Sequence, residues 1–74
     1  MKIVIVKQSI MNFYNPKTKR QEWYFSDMLP GNNVEFKDIA FVGSDRRVMF
    51  ECLDGEYASL PVDSFLIKET KYMS

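Results

Sequence analysis

Along this chain of 74 residues, apolar positions come in short runs that tend to alternate with polar ones, and turn-forming residues break the runs at close intervals. That period of two predicts strands rather than helices. The runs are 2–14, 19–27, 34–42, 48–53, 56–60 and 65–69. The breaks are Asn15-Pro16, Pro30-Gly31-Asn32-Asn33, Gly43-Ser44-Asp45 and Asp54-Gly55. Gly, Pro and Asn set or tolerate the backbone angles that tight turns need. Asp38 interrupts the third run and predicts a bend there. Asp54-Gly55 is the strongest hairpin signal, because Gly takes positive φ without penalty. The stretch least like a strand is Ser26-Asp27-Met28-Leu29, where Ser26 is placed to cap a short helical turn.

Six short strands with no long helix predict an all-β fold in one domain over residues 1–74. The stretch from Asp54 through Tyr57, Leu60 and Pro61-Val62-Asp63-Ser64 to Phe65-Leu66 resembles the end of many SH3-like barrels. There a hairpin strand runs into a 3₁₀ turn and a brief final strand. The resemblance spans about 13 residues of matching class and implies a small SH3-like barrel or a rolled antiparallel sheet of five to six strands. It implies nothing about activity.

Length adds a constraint. Residues 2–14 as one strand would span about 43 Å at about 3.3 Å per residue. A domain of this size has a radius of gyration of about 11 Å. The strand therefore either bends or carries the tip around Pro16 beyond the body.

Composition fits a small folded domain: 46% apolar and 27% charged residues leave enough apolar surface for a core. One Trp, four Tyr and six Phe are many for this length. Each buries about 150–250 Å², which helps so small a core close. The four apolar residues between Lys2 and Lys7 are too few for a secretory signal. The single Cys52 forms no internal disulfide. A cytoplasmic location is the expectation.

Histidine is absent. Ser-His-Asp and Cys-His nucleophile activation, and Cys/His zinc sites, are thereby excluded within one chain. Cys52 alternates with Val48 and Phe50 and reads as core, with Glu51 and Asp54 raising its pKa. Glycines at 31, 43 and 55 form no phosphate-cradling loop. Asp54-Gly55-Glu56 matches no calcium loop of the EF-hand type. Arg46-Arg47 reads as a solvated turn, and the acids Glu51, Asp54, Glu56 and Asp63 as solvated strand ends. No enzyme activity, cofactor or metal is expected.

Charge is what points to function. The net charge is zero, but residues 1–20 hold Lys2, Lys7, Lys17, Lys19 and Arg20 and no acid, while every acid lies beyond them. Aromatics crowd the end of the basic segment: Phe13, Tyr14, Trp23, Tyr24 and Phe25. A turn over 15–18 would set Tyr14 opposite Lys19, Asn12 opposite Gln21 and Ile10 opposite Trp23. Tyr14, Lys17, Lys19, Arg20 and Trp23 are then the expected contact surface for a larger protein, since Tyr, Trp and Arg dominate interface hot spots. The favoured reading is a non-catalytic interaction module, an adaptor or inhibitor of the size carried by phages and other mobile elements. The alternative is a single-stranded nucleic-acid platform, with bases on the rings and phosphates on the cations. A sequence pI of 6.2 lacks the basic footprint usual for that. Lys17 and Lys19 also fit a plainer role, keeping a hairpin tip soluble.

Overall fold

A computed structural model describes residues 1–15 and 23–69. It is all-β, with eight strands: β1 (Lys2–Ile5), β2 (Ser9–Tyr14), β3 (Trp23–Met28), β4 (Asn33–Glu35), β5 (Asp38–Val42), β6 (Arg47–Glu51), β7 (Tyr57–Pro61) and β8 (Phe65–Glu69). No helix occurs among the described residues, so Ser26–Met28 is strand and none is long and apolar enough to cross a membrane. All pairings are antiparallel. They make a three-stranded sheet, β4-β1-β8, and a five-stranded sheet, β3-β2-β7-β6-β5. The two sheets are not closed into a barrel.

Eight strands replace the expected five to six because two runs break and change sheets. The first breaks at 6–8, where the Val6 and Lys7 N–H groups both donate to Ser64 O, at 2.8 and 3.3 Å. β1 thus stays in the small sheet while β2 enters the large one. The 34–42 run breaks just before Asp38. There the Phe36 N–H donates to Met1 O and the Lys37 N–H to Glu51 O, both at 2.8 Å. Consecutive amides are satisfied on different sheets, so the bend leaves neither orphaned. Asp38 Oδ1 accepts the Ile39 N–H at 2.7 Å on the far side of the bend.

Between the sheets lies a core of Ile3, Ile5, Met11, Phe36, Val48, Phe50, Ala58, Leu60 and Phe65. Alternation on β6 sends Val48 and Phe50 inward and Arg47, Met49 and Glu51 outward. Phe36 stacks on Phe50 at 4.3 Å with an interplanar angle of 8°. Phe65 meets Phe50 edge-on at 5.1 Å. Such ring pairs contribute about 0.5–1.5 kcal/mol beyond the area they bury.

The turns follow their residues. In the Pro30-Gly31 turn, Gly31 sits at φ +93° and the Asn32 N–H reaches Leu29 O at 3.1 Å. Gly55 sits at φ +90° in the hairpin joining β6 to β7, where the Gly55 N–H reaches Cys52 O at 3.1 Å and Asp54 Oδ1 accepts the Glu56 N–H at 3.0 Å. The β5–β6 turn closes with Gly43 N–H to Arg47 O at 2.7 Å and puts Arg46, not a glycine, at φ +62°. Pro61–Ser64, expected as a single 3₁₀ turn, closes with one bond of that i→i+3 kind, from Ser64 N–H to Pro61 O at 3.1 Å, doubled by Ser64 Oγ at 2.7 Å.

Candidate functional site: the outer face of the five-stranded sheet

Residues directly opposite each other in a ladder share a face. On the outer face one row crosses all five strands: Asp38 opposite Glu51, Glu51 opposite Tyr57, Tyr57 opposite Tyr14, Tyr14 opposite Trp23. The next row is Phe41, Met49, Ser59, Asn12 and Phe25. The Tyr14 and Trp23 rings lie 4.9 Å apart, tilted by 31°. Phe25 is 64% exposed, Phe41 56% and Trp23 45%. These are large rings left in water on one face of a domain with little apolar surface to spare.

Two adjoining cavities run along this face. One, of about 340 Å³, is lined by Tyr14, Trp23, Ala40, Phe41, Met49 and Tyr57. The other, of about 300 Å³, adds Asn12, Phe25, Ser59, Arg47, Gly43 and Asp45. They share Trp23, Phe41 and Met49 and so form one trough. Trp23 and Phe41 stand on the two outermost strands, as its walls.

Phe41 is on this face because of a bulge. Ile39 opposes Phe50 toward the core, the register then slips, and Phe41 opposes Met49 instead of the next inward residue. A β-bulge re-aims the side chains that follow it. Sequence reasoning missed Phe41, Met49 and Tyr57. For Tyr57 the alternation against Leu60 and Ala58 was a signal. For Phe41 there was none, since Ile39-Ala40-Phe41-Val42 is apolar throughout.

At one end Arg47 is held on three sides: Nε donates to Ser59 Oγ at 3.1 Å, and Nη2 to Ser59 O at 2.9 Å and to Ile10 O at 2.8 Å. The expectation of a solvated Arg46-Arg47 turn therefore holds for exposed Arg46 alone. Arg47 is a strand residue tying β2, β6 and β7 together.

Of the expected contact residues, Tyr14 and Trp23 come together, in a different register from the one expected. Tyr14 opposes Trp23, Asn12 opposes Phe25 and Ile10 opposes Asp27. The slip is even in length, so Tyr14, Trp23, Phe25, Asn12 and Ile10 still share a face. Lys17, Lys19 and Arg20 lie outside the described residues. Tyr24 faces the other way, stacked on Phe13 at 4.8 Å, with its hydroxyl donating to Glu56 Oε2 at 2.9 Å. That bond raises the Tyr24 pKa, with burial and the Glu56 charge adding to it.

The remaining acids disperse. Glu51 meets Lys37 at 3.5 Å and Asp63 meets Lys7 at 3.6 Å, while Asp54 caps its turn. Half-buried Cys52 packs against the core on the opposite side from the trough. Burial, then Asp54, Glu56 and Glu51, push its thiol up to about 11. The chain matches no protein-family model, no curated protein and no solved structure.

Proposed function

We propose that the chain is a non-catalytic protein-interaction module whose contact surface is the trough on the five-stranded sheet, with the larger protein's side chains seated between Trp23 and Phe41. The observation that carries this is the pair of rows just described, in which Tyr14, Trp23, Phe25, Phe41, Met49 and Tyr57 share one exposed face. Exposed apolar patches on small domains mark interaction sites, and Trp and Tyr are the residues that dominate interface energy. We read its role as a cytoplasmic adaptor or inhibitor of the kind phages and mobile elements encode. The polar groups along the trough also favour binding over chemistry, because Arg47 is already bonded three ways. Lys17 and Lys19 belong to this proposal as rim charges, and Arg20 as a hot-spot residue beside Tyr14.

The connectivity supports an SH3-like reading of the fold. β1 pairs with both β4 and the last strand, β5-β6-β7 form a meander, and the kinked 33–42 run is shared between sheets. The nucleic-acid alternative loses ground on the same face. Asp38, Glu51, Asp27 and Asp45 would all repel a phosphate backbone there.

The test is affinity capture from the native host with mass spectrometry, using wild type beside a Tyr14→Ala, Phe41→Ala double variant of unchanged melting temperature. The reading expects one stoichiometric protein held by wild type and lost by the variant. Equal recovery by both would remove the trough from the interface. Sub-micromolar binding of single-stranded DNA or RNA at about 150 mM salt, with a steep salt slope, would favour the alternative.

A further inference from the structure

We infer that two copies of this chain pair through the free edge of β3, antiparallel about a two-fold axis at Phe25, so that their five-stranded sheets join into one. The occupant of the edge is a second copy of the chain, and the inference does not depend on the trough having a partner.

β3 is an outermost strand of the large sheet, and among the described residues β2 alone pairs with it. An outer strand directs alternate N–H and C=O groups outward, which makes it a template for another strand. The other three outer strands each carry a feature that discourages such pairing. β4 has three residues. β5 bulges between Ile39 and Phe41. β8 slips its register at Lys68, with Ile67 opposite Ile3 and Glu69 opposite Lys2. Short edges, bulges and lysines are the usual protections. β3 has none of them: its six residues pair with β2 one for one and include no Lys, Pro or Gly.

The same strand is exposed on both faces. Trp23 and Phe25 stand in water on the trough side, and Tyr24 is 49% exposed on the reverse. A body resting on the trough covers the first two and leaves Tyr24 uncovered. A strand added in the plane of the sheet flanks all three.

Complementarity selects a second copy as that strand. A two-fold axis through Phe25, perpendicular to the sheet, keeps each face continuous. It sets Trp23 opposite Asp27 of the second copy, Tyr24 opposite Ser26, and Phe25 against its own counterpart. The Trp23 indole N–H and the Asp27 carboxylate have no hydrogen-bond partner within the described chain. Opposed side chains have Cβ atoms about 4.5–5.5 Å apart, within reach of a bond between the two, and the symmetry makes it twice. Asp27, the one charge on β3, does not meet its own copy. A net charge of zero adds little repulsion between whole chains.

Sedimentation equilibrium of the full chain tests this. Wild type should pass from 8.7 kDa to twice that mass as concentration rises. Phe25→Lys and Phe25→Glu each put like charges on the axis and should weaken the dimer by about 30-fold or more at unchanged melting temperature. Mixed one to one, the two variants should recover it as a heterodimer. Asp27→Ala, at an exposed position, should weaken it about tenfold. Phe41→Ala, on the opposite edge, should dimerise like wild type even where it loses partner capture. A chain monomeric up to about 1 mM, a dimer indifferent to the Phe25 and Asp27 substitutions, no recovery on mixing, or a dimer lost in Phe41→Ala would each overturn the inference.

Discussion

Ile39 and Phe41 lie two residues apart on one strand and face opposite sides of the sheet, one toward the core and the other into the trough. The single extra residue between them, Ala40, turns an unbroken apolar stretch into a core contact and a wall of the candidate site.

That division predicts opposite outcomes for two phenylalanines. Phe50 is fully buried between Phe36 and Phe65, and Phe50→Ala should cost about 3–5 kcal/mol. In so small a domain this approaches the whole stability. Phe41→Ala removes a ring that is 56% exposed and should cost less than about 1 kcal/mol. Urea denaturation of the two variants checks this; a Phe41→Ala cost matching that of Phe50→Ala would place Phe41 in the core.

The two hairpin turns on either side of β6 should respond in opposite directions. Gly55 occupies φ +90°, and Gly55→Val should destabilise by about 1–2 kcal/mol or more from the left-handed penalty and branched crowding. Arg46 holds φ +62° with a side chain, so Arg46→Gly should be neutral or stabilising by up to about 1 kcal/mol. Thermal melts of both variants read the signs. A Gly55→Val variant that melts with wild type would contradict the turn as described.

Arg47 is the cross-tie of the large sheet. Arg47→Met leaves Ser59 and the Ile10 carbonyl without their charged donor. The expected cost is about 1.5–3 kcal/mol. Arg47→Lys should recover little of it, because an ammonium lacks the planar fork that reaches both strands. Full rescue by lysine would show that charge alone matters at this position.

Cys52 gives a pH dependence. Its thiol is raised from 9.0 to about 11, first by burial and then by the carboxylates of Asp54, Glu56 and Glu51. The unfolded chain therefore loses this proton at lower pH than the folded one. The group's contribution to stability is whole below about 9 and is lost as pH rises through about 11. At pH 8 a disulfide reagent should label the native chain about tenfold or more slower than the urea-unfolded chain. Matching rates would show that the thiol is neither buried nor shifted.

Much of this architecture is legible in the residues. Alternation and turn chemistry predict an all-β chain, and the excessive length of 2–14 as one strand leaves a bend or a projecting tip, of which the structure shows a break at 6–8. Register is less legible. A turn over 15–18 would pair Tyr14 with Lys19, yet Tyr14 pairs with Trp23, a register four residues away from the one that local turn preference suggests. The site is half legible. Tyr14 and Trp23 stand out beside the basic segment. Phe41 and Met49 do not, because their place depends on a bulge and on neighbours far away in sequence. In isolation Asp38 reads as the marker of a bend and Glu51 as solvated, and only the cross-strand row makes them part of one surface.

The pairing of β1 with β8 has a consequence for how the chain is made. Ile5 lies opposite Phe65, and ribosomes add about 5–20 residues per second. The intervening segment takes about 3–12 s to synthesise at that rate. Until then β4 is the one partner β1 has met, and half of its edge stays open. Ile3 and Ile5, the most deeply buried residues of that strand, wait through this interval without their final cover. The fold therefore closes only once β8 has been made, and truncation before β8 should yield an aggregation-prone product in place of a smaller folded domain.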